Sequence, residues 1–154
     1  MHALVFSDSH GRVKPMLDAV EIYRPDVIFH LGDVVRDAEK IKQAFPKIPF
    51  YMVPGNSGDD SAVDDETEKL IQLEGKTVFY LHGHTQQVRG GLTHAVHQAR
   101  DRGADLMLYG HTHVPLALDY DGILAVNPGA IKDGRCALLL WENGGPIQRL
   151  PLEL

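Results

Sequence analysis

Val27-Ile28-Phe29-His30-Leu31-Gly32-Asp33 sets an apolar run of strand length against a glycine and a carboxylate. A short run rich in β-branched and aromatic residues reads as a buried strand, and its Gly-Asp ending delivers a polar group at the strand's carboxyl end. The same arrangement recurs on either side. Upstream, residues 3–6 form an apolar strand that runs into Ser7-Asp8-Ser9-His10, and residues 15–24 read as a helix with Pro15 at its start. Downstream, a helix over about 36–45 carries Ala38, Ile41 and Phe45 at spacings of three and four and stops before Pro46. Residues 50–53 make a third strand ahead of Pro54-Gly55-Asn56. This β-α-β-α-β order predicts a parallel sheet with right-handed crossovers.

Beyond it, residues 57–66 are polar and acidic and read as an exposed loop. Strands follow over 69–73 and 77–81, split by Glu74-Gly75. A helix over 92–102 has Leu92, Ala95, Val96 and Ala99 on one face and Gly103 as its natural stop. Strands at 106–109, 116–120, 123–126, 137–141 and 147–152 complete the chain. Asp121-Gly122 and Gly144-Gly145 are hairpin signals between them. No repeat or linker divides the sequence, so residues 1–154 are expected to form one domain, α/β in its first half and β-rich in its second.

Composition narrows the function. The chain has 154 residues, 44% hydrophobic and 23% charged, the balance of an ordinary globular protein. A net charge of −6 without a Lys/Arg cluster argues against nucleic-acid binding. The single cysteine, Cys136, excludes an internal disulfide and fits a core position in a reducing compartment. The first residues carry no leader pattern, and no apolar run approaches the ~18 residues of a membrane span. A cytoplasmic protein is expected, and a homo-oligomer is compatible with this reading.

Five islands hold the chemistry: Asp8-Ser9-His10, Gly32-Asp33, Gly55-Asn56, His82-Gly83-His84 and Gly110-His111-Thr112-His113. If the segment is extended, Asp8 and His10, two apart, face the same way and can grip one cation. Asp33 can bridge two metals, or it can cap the following helix. Asn56 offers a neutral oxygen ligand, or a left-handed turn. Two His-x-His pairs behind strands are uncommon by chance, and imidazole is a common metal ligand. Carboxylate, amide oxygen and imidazole converging from several strand ends suit a two-metal hydrolytic site. By contrast His94 and His97 lie off the apolar stripe of their helix, His2 is terminal, and His30 reads as a hydrogen-bonded core histidine. Walker, dinucleotide-binding, nucleophile-elbow, Cys-x-x-Cys and His-Glu-x-x-His patterns are absent.

Taken in order, the islands resemble the calcineurin-like metallophosphoesterase superfamily. The length and Asn127-Pro128-Gly129 look most like its small prokaryotic phosphodiesterase branch. The resemblance covers residues 4 to about 129 and implies a two-sheet αββα sandwich. It implies Asp8, His10, Asp33 and His113 around one divalent metal and Asp33, Asn56, His82 and His111 around the other, with Asp33 bridging. Manganese is the first expectation, with zinc, iron, nickel and cobalt suited to the same donors. A hydroxide between the metals would attack the phosphorus of a small-molecule phosphoester, preferentially a diester. Asp33 and Asn56 would take part in catalysis. Ser57 stands where many relatives have a histidine that assists the leaving group, and His84 is the candidate substitute. Ala130 stands where the branch usually has serine. Two rival functions accompany this expectation. One is a silent scaffold like the phosphoesterase-like subunit of the retromer coat, and the other is a nucleotide pyrophosphate hydrolase.

Overall fold

The computed structural model describes residues 1–55 and 67–154. Asn56, Ser57 and the acidic run expected to form a loop therefore lie outside the described residues. Strands β1 (His2–Phe6), β2 (Val27–His30) and β3 (Phe50–Met52) alternate with helices α1 (Val13–Tyr23) and α2 (Val35–Ala44). Then come β4 (Glu68–Leu73), β5 (Lys76–Leu81), α3 (Thr93–Asp101), β6 (Leu106–Leu108), β7 (Leu116–Tyr120), β8 (Ile123–Asn127), β9 (Arg135–Leu140) and β10 (Gln148–Glu153). Each expected element is present, with ends shifted by one or two residues. Helix α1 starts at Val13, ahead of Pro15, because a proline within the first turn has no intrahelical N–H to lose. Helix α3 ends in the predicted glycine stop. Gly103 (φ +69°) donates to the Arg100 carbonyl, and Ala104 N–H reaches Ala99, which together satisfy the last open carbonyls.

Two five-stranded sheets result, ordered β10-β9-β1-β2-β3 and β4-β5-β6-β8-β7. The first three strands pair in parallel, as their crossovers require. The second half departs from a purely hairpin reading. Strands β5, β6 and β8 are also parallel, with α3 as the crossover between β5 and β6. Strand β8 ends at Asn127, and Pro128-Gly129 start the return to the first sheet, where β9 pairs antiparallel with β1.

Period-two burial explains the layers. In β1, Ala3 and Val5 face one way and join Val27, Phe29, Val78, Tyr80, Leu106 and Leu108 in the core between the sheets. Leu4 and Phe6 face the other way, onto Met16, Ala19 and Val20 of α1 and Ile41 of α2. Phe79, Leu81 and Met107 of the second sheet pack against Ala95, Val96 and Ala99 of α3. The order is helix, sheet, sheet, helix, with central strands buried on both faces. Cys136 is buried in the layer under α1 and α2, and burial pushes its thiol up to about 12. No helix among the described residues is long and apolar enough to cross a membrane.

Candidate metal centre

Four parallel strand ends, two from each sheet, converge on one polar cluster. Asp8 and His10 follow β1, Asp33 follows β2, His82 follows β5, and His111 and His113 follow β6. His10 Nε2 contacts Asp33 Oδ2. His113 Nε2 lies 3.2 Å and His82 Nε2 3.9 Å from Asp8 Oδ1. Two triplets, Asp8-His10-His113 and Asp8-Asp33-His82, each present donor atoms within 4.8 Å of one another, a spacing one cation can span. His111 joins through its ring, 5.1 Å from that of His82. His84 stands 5.4 Å from His82 and 6.3 Å from His111. The structure thus brings together Asp8, His10, Asp33, His82, His84, His111 and His113, while Asn56 lies outside the described residues.

Backbone conformation corrects one expectation. Asp8 (φ +54°) and His10 (φ +47°) are left-handed rather than extended. They reach one donor group because the loop curls, with Asp8 N–H donating to the Gly32 carbonyl at 3.0 Å. Asp33, His111 and His113 also have positive φ. Side chains other than glycine rarely adopt that region, and such conformations concentrate at functional sites. The N-cap residue of α2 is Val34, whose side chain makes no cap bond.

Small residues let the loops meet. A Cβ on Gly32 would lie 2.7 Å from Gly55 N, and one on Gly110 would lie 2.1 Å from Ser7 Oγ. Through that second approach the two sheets touch, and Asp8 Oδ2 receives the Ser7 hydroxyl at 2.6 Å and His111 N–H at 3.1 Å. Its other oxygen, Oδ1, is left toward the imidazoles. His82 Nδ1 donates to the Leu31 carbonyl at 2.7 Å, which fixes Nε2 as the lone-pair nitrogen. That Nε2 is buried with no hydrogen-bond partner among the described residues. A buried acceptor left open toward two carboxylates fits a cation. Burial, then neighbouring His82 and Arg89, pushes His111 down to about 4, so its imidazole is neutral and able to ligate near pH 7.

A buried network that sequence reading missed holds the first sheet's loops. Gly32 N–H donates to His30 Nδ1 at 3.2 Å, which makes Nε2 the protonated nitrogen facing Ser9 Oγ at 3.3 Å. Ser9 in turn donates to Asp37 Oδ2 at 2.7 Å, and the same oxygen accepts Gly11 N–H at 2.7 Å. Burial pushes His30 down to about 4, so it stays neutral, as the expected core histidine. Asp37 lies four residues before Ile41, a spacing that places it on the buried face of α2 and was the available signal. On the other side, Asn127 Nδ2 donates to the Gly110 carbonyl and to Thr112 Oγ1. Beyond it, Ile131 and Lys132 N–H donate to the carbonyls of Ser7 and Asp8. The β8–β9 crossover thus ties both sheets beneath the cluster. His2, His94 and His97 are exposed, as expected.

Comparison with known proteins agrees with this geometry. A family model described as the calcineurin-like phosphoesterase superfamily domain matches residues 1–138. A Bacillus subtilis protein named "Probable metallophosphoesterase YsnB" is 28% identical over 97% of this chain and 89% of its own length. Phosphodiesterase MJ0936 of Methanocaldococcus jannaschii is 24% identical, with 81% of each chain covered. The crystal structure of a conserved Streptococcus pneumoniae protein, a predicted phosphoesterase, superposes with a TM-score of 0.75 at 25% identity, covering 99% of this chain and 83% of that one.

Proposed function

The chain belongs to the calcineurin-like phosphoesterase superfamily, and from that premise we propose that its residues 1–154, acting as one domain, hydrolyse a small-molecule phosphodiester with two divalent cations. Manganese is the first candidate, with zinc, iron, nickel and cobalt compatible with the same donors. Asp8, His10, Asp33 and His113 would hold one cation, and Asp33, Asn56, His82 and His111 the other. When bound, the cations supply Lewis acidity and an activated water for in-line displacement at phosphorus.

The observation that carries this reading is the buried His82 Nε2, without a hydrogen-bond partner among the described residues, beside the carboxylates of Asp8 and Asp33. The protein's own residues divide the work. Asp8 and Asp33 supply the negative charge that retains the cations. His82 is oriented by the Leu31 carbonyl, and His111 stays unprotonated near neutrality. Asp8 Oδ2 is held by Ser7, which leaves Oδ1 toward His82 and His113. His84, at the edge of the imidazole group, is the candidate to protonate the leaving group in place of a histidine after Asn56. The diester preference and a cytoplasmic setting belong to the same proposal. The phosphodiesterase named among the relatives supports the preference.

The test is hydrolysis of a bis-aryl phosphate by metal-stripped protein, with and without manganese, beside Asp33→Asn. Manganese-dependent turnover that vanishes in the variant is expected. Well-folded protein that is inactive with every divalent metal would move the weight to a scaffold role. Faster turnover of a monoester would overturn the diester preference.

A further inference from the structure

Beyond the carboxylates and imidazoles, one cation of the protein itself stands at the edge of the cluster. Arg89 lies on the short 3-10 turn Val88–Gly90, three residues beyond His82-Gly83-His84. The turn is anchored tightly. Val88 N–H donates to the Gly83 carbonyl at 3.2 Å, and the Val88 side chain fills the space a Cβ on Gly83 would need, 2.6 Å away. Val88 itself is buried in the layer under α3. From this anchored base the exposed Arg89 side chain turns back toward the other His-x-His loop, where Nη2 reaches the His111 carbonyl at 3.4 Å.

That contact engages one donor of a guanidinium that carries five N–H groups. Among the described residues no carboxylate pairs with Arg89. Arg102, by comparison, is fully committed to Glu68 at 2.6 Å and to the face of Phe79. A guanidinium beside a histidine cluster, with no carboxylate partner among the described residues, stands out in a chain of net charge −6. The planar fork matches the spacing of two phosphate oxygens.

We propose that Arg89 binds the non-bridging oxygens of the substrate's phosphate group, acting as the protein's own anion contact at the rim of the metal centre. This rests on the phosphoesterase reading and names a further specificity-determining residue for it. The contact would favour phosphorus centres that carry an anionic oxygen over neutral triesters. It would also retain the phosphate-bearing product.

The experiment compares wild type, Arg89→Ala and Arg89→Lys as full-length, manganese-loaded protein. The rise in Tm with inorganic phosphate reads anion binding without turnover, KM and kcat for a bis-aryl phosphate read the reaction, and calorimetry reads manganese affinity. Losing a charge-assisted hydrogen-bond pair is expected to weaken phosphate binding and raise KM by about tenfold to a hundredfold in Arg89→Ala. Manganese affinity and kcat should change by less than about threefold. Arg89→Lys should recover part of the phosphate affinity, as a point charge without the fork. A phosphate-linked Tm rise in Arg89→Ala equal to that of wild type would overturn the inference. So would a parallel loss of manganese affinity, because the arginine would then act only by holding the His111 loop. If wild type fails to hydrolyse any ester, the phosphoesterase reading fails, and the phosphate-linked Tm comparison still decides the role of Arg89.

Discussion

The two sheets bring different chemistry to the same place and hold it by different means. Both carboxylates, Asp8 and Asp33, come from the first sheet, and the second contributes imidazoles alone. The carboxylate side is fixed by a buried side-chain network through Ser9, His30 and Asp37, whereas the imidazole side is fixed mainly by backbone and the Asn127 amide. The difference follows from charge. A buried anion must be surrounded by donors or it repels its neighbours, so its loop needs side chains that supply and orient N–H and O–H groups. A neutral imidazole needs only one nitrogen bonded so that the other faces inward, and a single carbonyl does that.

The strongest way to break this contrast is to remove one charge. Asp33→Asn, which keeps the shape, should abolish turnover by more than about 100-fold, beyond the loss typical of a supporting residue. His111→Gln should cost less in manganese affinity than Asp33→Asn, and equal losses on calorimetric titration would erase the distinction.

Next in size is a pH effect lodged in the first sheet. His30 is held at about 4 in the folded protein against 6.5 when unfolded, so between those values the unfolded chain binds more protons. Stability should therefore rise with pH from about 4 to 6.5 and be fully present above that window. The His30 contribution is at most about 3 kcal/mol. Urea unfolding of metal-free wild type beside His30→Gln should show that part of the slope only in wild type. Parallel slopes would mean that His30 exchanges protons with solvent in the native state.

Smaller again is the network itself. Ser9→Ala and Asp37→Asn leave every proposed ligand in place, and each should weaken manganese binding by about 10- to 100-fold, recoverable at saturating metal. On the second sheet, Thr112→Val removes the acceptor for Asn127 Nδ2 and Val114 N–H. It should cost about 1 kcal/mol in urea unfolding with little change in manganese affinity. A larger metal effect from Thr112 than from Ser9 would reverse the comparison.

Sequence reading recovered the strands and the helices because each depends on local pattern, and it singled out Asp8, His10, Asp33, His82, His84, His111 and His113, which the fold brings together. Period-two apolar runs mark strands, and the Gly-Asp and His-x-His islands mark their ends. It missed what long-range pairing decides. Nothing local tells β9 to return to the first sheet beside β1, since its apolar run Cys136 to Leu140 would fit either sheet. Nothing local turns Asp8 and His10 left-handed either. The Gly32 carbonyl and the Asp37 carboxylate impose that curl from β2 and α2. Asp37 itself was hidden because an acid in the first turn of a helix usually faces solvent.

The left-handed backbone at Asp8, His10, Asp33, His111 and His113 also bears on descent. Each such residue costs roughly 1–2 kcal/mol relative to glycine in the same conformation. A lineage released from the need to bind metal would gain thermal tolerance when one of these positions drifted to glycine. Loss of the reaction and hardening of the fold would then be selected together, and the surviving sandwich would be more robust as a platform than it had been as a site of chemistry.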